Sequence, residues 1–226
     1  MCGNLEDKMN TIHPNDSGIL SLIEGYKSFK SKHFEQSQSF EELVRYGQNP
    51  SSLVVACCDS RVDPAIVTGC KPGELFVVRN VANLVPPFEH DLRHHGTSAA
   101  LEYGVNGLGV SDIILFGHSH CGGIRALMEM DENNNSSDFM SAWMDIAKPA
   151  KRRVLEQHPQ GSADEQAHLC EKESLLISLN NLKTFPWIQE RIKSNKLFLH
   201  AWYFDLSTGF IEAYQSETGE FIPLDL

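Results

Sequence analysis

The chain has 226 residues, 41% hydrophobic and 22% charged, enough for one domain with a full core and ordinary for a globular protein. A net charge of −11, with Lys151-Arg152-Arg153 as the main basic block, argues against nucleic acid as a partner. No apolar run approaches the ~20 residues of a membrane helix, and neither a secretory nor an Arg-rich transit pattern follows Met1-Cys2-Gly3-Asn4, so a cytoplasmic address is expected.

Residues 1–16 are polar and mixed, and are expected to be loosely held. Ile19, Leu20, Leu22, Ile23 and Tyr26 predict a helix over about 17–31, and Ser39 with Glu42 forms a capping-box pattern for a second, short helix. Leu53-Val54-Val55-Ala56-Cys57 is a continuous apolar run of the kind found in buried parallel strands. Residues 74–79 and 112–116 repeat it, and an Ala/Leu-rich helical stretch lies between them at about 93–106. After Gly122-Gly123 a helix should run to about Met130, and the polar run Asp131 to Asp138 reads as a surface loop. Helices are expected near 139–156, 163–183 and 186–194, then a closing pair of strands at 197–204 and 210–214 in an edge position. Strands alternating with helices predict a single α/β domain with a central, mainly parallel sheet.

Two strand ends carry chemistry: Cys57-Cys58-Asp59-Ser60-Arg61 and Gly117-His118-Ser119-His120-Cys121-Gly122-Gly123. Catalytic zinc takes three protein ligands and keeps a fourth position for water or substrate. Alternation along an extended segment puts Cys57, Asp59 and Arg61 on one face and Cys58 on the other. Cys57 is therefore the expected donor and Cys58 a small core residue. His118 and Cys121, three apart at a helix start, can converge on one ion, and the helix N-terminus favours a thiolate. His120, adjacent to Cys121, is not expected to ligate. Buried cysteines are common in cores, so the pattern alone leaves the metal reading open. Asp59 and Arg61, expected as a buried charge-assisted pair beside the donors, tip the balance toward catalysis. Cys2, Cys70 and Cys170 are expected to be unpaired thiols.

The pattern Cys-x-Asp-x-Arg, followed after 56 residues (62–117) by His-x-x-Cys-Gly-Gly, resembles the β-class carbonic anhydrases. The likeness continues through Pro72–Asn83 and Ser98–Tyr103, is strong over about 50–125 and is loose elsewhere. The resemblance implies one Zn2+ per chain on Cys57, His118 and Cys121, with Asp59 accepting a hydrogen bond from the metal-bound hydroxide and Arg61 holding Asp59. It implies reversible hydration of carbon dioxide to bicarbonate and a proton. It also implies N-terminal helices that pack on a partner subunit in a homodimer or larger homo-oligomer. By position, Val62 and Gly122 are candidates to line the carbon dioxide pocket.

Val54 stands where some members of the family carry a tryptophan of a noncatalytic bicarbonate site, and Arg79 resembles another element of that pocket. An open site, without Asp59 on the metal, is therefore expected. His90, His94 and His95 are candidates for proton relay. Two other readings stay open: hydrolysis of carbonyl sulfide or carbon disulfide on the same scaffold, and a zinc-bound binding or regulatory protein without catalysis.

Overall fold

The computed structural model describes residues 17–37, 39–91, 93–130 and 139–224. The expectations for residues 1–16, for 131–138 and for the Ser39 side chain fall outside the described residues. The chain divides into two compact units, residues 1–48 and 49–226. In the first, α1 (Ser17–Lys30) continues into a π turn at Ser31–Glu35 and is followed by α2 (Ser39–Tyr46). Phe29, Phe34 and Phe40 gather there, with Phe34 and Phe40 stacked at 4.6 Å.

The second unit is an α/β domain. Its elements are β1 (Ser52–Cys57), α3 (Pro64–Thr68), β2 (Leu75–Asn80), α4 (Gly96–Glu102), β3 (Asp112–His118), α5 (Gly122–Glu129), α6 (Phe139–Met144), α7 (Lys148–Gln157), α8 (Ala163–Leu182), α9 (Pro186–Lys193), β4 (Phe198–Phe204), β5 (Ile211–Gln215) and β6 (Glu220–Pro223). The strands form one sheet in the order β2-β1-β3-β4-β5-β6. Pairing is parallel from β2 to β4 and antiparallel from β4 to β6, so the sheet is mainly parallel as expected. The apolar runs of β1 and β3 are buried almost without a break, as strands covered on both faces must be.

Three expectations are corrected. The closing strands do not form the edge: β4 lies inside the sheet, and the edge is β6, a short strand whose Glu220-Phe221-Ile222-Pro223 offers too little apolar pattern to be read. The helix expected over 139–156 is broken by a 3-10 turn at Asp145–Ala147, because Pro149 cannot donate into a preceding helical turn and instead sits in the first turn of α7. Cys58 is exposed rather than in the core, since the strand and its covering layers end one residue earlier.

Helix α8 is drawn close to β3 at Gly117, where an added Cβ would lie 2.9 Å from Cδ1 and 3.1 Å from Cγ of the fully buried Leu175. Gly117→Ala is therefore expected to destabilise the fold by about 1–3 kcal/mol through overpacking. Denaturant unfolding with an unchanged midpoint would show that Leu175 can move aside.

Candidate metal centre

Strands β1 and β3 lie side by side in parallel register, with Ala56 opposite Phe116, so their C-terminal ends bring Cys57 and His118 together. Cys121 follows as the residue preceding α5. The ligand atoms of Cys57, His118 and Cys121 all lie within 4.8 Å of one another, and all three residues are buried. No other group of three His, Cys, Asp or Glu side chains converges in this way among the described residues. Gly123 permits the close approach: its Cβ would sit 2.9 Å from Val81 Cγ1 and 3.2 Å from Ala82 Cβ. Ala82 and Asn83 accept left-handed φ values of 60° and 49° at this point, backbone strain of the sort that gathers at functional sites.

His118 is oriented for a metal. Its Nδ1 lies 2.8 Å from the Ser119 carbonyl, which accepts that ring N–H, while its buried Nε2 has no hydrogen-bond partner. A backbone carbonyl on one ring nitrogen with the other left bare is the usual arrangement of a ligating imidazole. Two sulfurs and a nitrogen at these separations fit an ion with bonds of about 2.3 and 2.0 Å to such atoms.

The two thiols are electrostatically unequal. Hydrogen bonding from Cys121 lowers Cys57 to a pKa of about 4 against the opposing effect of burial, with His118 adding to the fall. Cys121 is pushed well above the ordinary thiol range by its bond to Cys57 and by burial, although the amides of Gly123 and Ile124 pull the other way. Burial works to lower His118, but the neighbouring Cys57 thiolate and the Ser119 carbonyl prevail and raise it. The metal-free protein is thus expected to keep one thiolate through neutral pH. Its ultraviolet thiolate absorbance should vanish with a midpoint near pH 4, and Cys57→Ser should lack that transition. A midpoint near that of a free thiol, roughly 8.5, would overturn this account.

Asp59 and Arg61 face one another from the turn after β1. Asp59 Oδ1 accepts from the Arg61 amide and Nε, each at 2.9 Å, and Oδ2 accepts from Arg61 Nη2 at 2.7 Å. This fork holds the Asp59 carboxyl well below the usual carboxylate range, so it stays ionised. The pair is not buried as expected: the Asp59 side chain is 16% exposed and the Arg61 side chain 52%, because the turn lies at the domain surface. Arg61 Nη2 also donates to the His120 carbonyl at 3.0 Å. His120, with a left-handed φ of 57°, is outside the donor group as expected, and its exposed ring has Nε2 3.4 Å from Ser207 Oγ.

Arg79 has a part that sequence reasoning left open. Its guanidinium donates to the carbonyls of Cys57, Asp59 and Val62 at 2.9, 2.7 and 3.1 Å and pairs with Asp63, clamping the segment that carries Cys57 and Asp59. Glu171 was missed altogether: one oxygen accepts the Cys121 amide at 2.8 Å. Of the pocket candidates, Gly122 is exposed beside Cys121, while Val62 is fully buried against Val54, Ala56, Ile114 and Phe116, apart from the cluster that includes the two cysteines. Cys58 lines an open cavity of about 430 Å3 with His94, His95 and Trp143; His95 also bonds to Asp91.

Comparison with known proteins agrees with this geometry. Residues 52–211 match the family model described as carbonic anhydrase. Beta carbonic anhydrase 3 of Arabidopsis thaliana is 35% identical over 93% of this chain and 83% of that protein. The chain belongs to the β-carbonic anhydrase family. Beta carbonic anhydrase 5, chloroplastic, from the same plant is 42% identical over 78% of this chain and 58% of its own length. Among solved structures, the β-carbonic anhydrase CcaA superposes with a TM-score of 0.85 at 31% identity, covering 93% of each chain. One of the tetrameric β-carbonic anhydrases of Sordaria macrospora gives 0.73 at 29% identity, over 87% of this chain and 94% of its own. Zinc is the metal of this family, and the Cys57–His118–Cys121 group fits it.

Proposed function

We propose that this chain catalyses the reversible hydration of carbon dioxide to bicarbonate and a proton, with Cys57, His118 and Cys121 holding zinc. The observation that carries the reading is the convergence of two thiols and a bare imidazole nitrogen at two adjacent strand ends. Zinc, when bound, acts as a Lewis acid that brings the pKa of water from 15.7 towards ~7.

The residues around that position determine what happens there. Asp59, ionised and forked by Arg61, can only accept hydrogen bonds. Two donors already occupy Oδ1 and one occupies Oδ2, so Oδ2 retains a free lone pair. That oxygen orients the hydrogen of the attacking nucleophile and so directs its lone pair at carbon dioxide. Arg61 is the positioning residue, anchored in turn by the His120 carbonyl. With Asp59 committed to Arg61, the site is of the open kind. Gly122, with no side chain beside Cys121, leaves room for a small apolar substrate to approach.

The remaining assignments follow from the surface. No residue of α1 is buried, and Leu22 and Tyr26 are 71% and 61% exposed, which supports packing of the N-terminal helices on a second copy of the chain. Cys57, Cys58, Cys70, Cys121 and Cys170 are all unpaired, which suits a reducing compartment such as the cytoplasm. No described helix is long and apolar enough to cross a membrane.

Metal analysis coupled to stopped-flow hydration of carbon dioxide tests the reading. About one zinc per chain with hydration well above the buffer rate is expected. Turnover of carbonyl sulfide or carbon disulfide in place of carbon dioxide would overturn it.

A further inference from the structure

Glu171 is the one buried acidic residue among the described residues, with its side chain 5% exposed. A carboxylate taken out of water is costly unless its oxygens are fully engaged, and no Lys or Arg pairs with Glu171 among the described residues. Its partners are instead a metal-site amide and a phenol, with His168 Nδ1 3.9 Å from Oε2. Oε1 accepts the Cys121 N–H at 2.8 Å, and Oε2 accepts the Tyr203 hydroxyl proton at 2.7 Å. Tyr203, fully buried on β4, also has its hydroxyl 3.0 Å from His168 Nδ1.

The fold brings this about deliberately. Gly117 lets Leu175 of α8 press onto β3, and Glu171, one helical turn before Leu175, is thereby set at the strand's C-terminal end beside Cys121. A small polar side chain could cap the Cys121 amide without the burden of a buried charge. Glu171 supplies reach: its two methylenes span from the α8 backbone to the amide while Tyr203 fixes the far oxygen.

We propose that Glu171 is a positioning residue for the metal centre, its carboxylate locking the Cys121 backbone so that the sulfur is held in place for the ion. The proposal rests on Cys121 being a zinc donor. Groups that orient metal ligands in this way are typically worth about 10- to 100-fold in metal affinity.

Two variants separate reach from charge. Glu171→Gln keeps the length and an acceptor oxygen; Glu171→Asp keeps the charge but withdraws it by one methylene. Zinc affinity is measured by chelator competition, and the thiolate-to-cobalt absorption of the Co2+-substituted protein reports donor geometry. Glu171→Asp is expected to bind zinc about 10-fold or more weakly with an altered cobalt spectrum, while Glu171→Gln recovers most of the native affinity. The opposite order, or native affinity and spectrum in both, overturns the proposal. Should Glu171→Asp fail to fold, Tyr203→Phe decides, since it frees only the far oxygen. It is expected to weaken zinc a few-fold, and native affinity there counts against the proposal. If the unmodified chain itself takes up no zinc, the zinc reading fails instead, so the two failures are distinguishable.

Discussion

Cys57→Ser is expected to abolish zinc retention and carbon dioxide hydration together, while Cys58→Ser leaves both intact. The serine hydroxyl does not ionise in the accessible pH range, so the site loses the thiolate that is already formed near pH 4. Losing a direct donor should cost more than the roughly 100-fold that outer contacts supply. Cys58 lines an open cavity and is not among the converging donors. Zinc content after dialysis against a chelator, measured on both variants, checks the pair of outcomes. Retention by Cys57→Ser and loss by Cys58→Ser would mean that the other sulfur is the ligand.

Asp59→Asn should behave differently, keeping zinc but lowering kcat/KM by about 10²- to 10⁴-fold, the range over which a positioned proton-handling group acts. Asparagine presents an amide NH2 where Oδ2 stands, which cannot accept from the nucleophile and repels the Arg61 fork. The pH dependence has a definite sign. Asp59 has a folded-state pKa below its unfolded one, so any stabilisation from the pair is present above the ordinary carboxylate range and is lost only as acid takes the pH through the lowered value. Being at the surface, the pair adds little to stability in any case. Across neutral pH Asp59 therefore does not titrate. An activity inflection there belongs to another group and should persist, at much lower rate, in Asp59→Asn. Disappearance of that inflection, or a carboxylate bound to the metal at pH 7 by X-ray absorption, would contradict the open arrangement.

The donor set was legible because each member is local to a strand end: β1 and β3 announce themselves as apolar runs, and the chemistry-bearing residues come directly after them. Alternation along β1 points to Cys57, the sulfur that converges with His118 and Cys121, but misplaces Cys58, because it gives a face and says nothing about where the covering layers stop. Arg79 was ambiguous, since its partners are carbonyls of a turn that exists only once β1 and β2 are paired. Glu171 carried no signal. It lies 50 residues from Cys121 on α8, a 20-residue helix that buries Ser174 and Ser178 along with Leu175, Leu179 and Leu182, so that neither spacing nor hydrophobic contrast singles it out. The edge strand β6 was too short and too polar to register.

The parallel pairing of β1 with β3 has one further effect. Cys57 and His118 are contributed by neighbouring strands, yet everything from α3 to α4 must cross over between them before they can meet. No short peptide excised from this chain contains a binding site, and a newly made chain presents scattered sulfurs rather than a chelate. Capture of the ion by all three donors thus requires β1 and β3 to be paired in the register that sets Ala56 opposite Phe116.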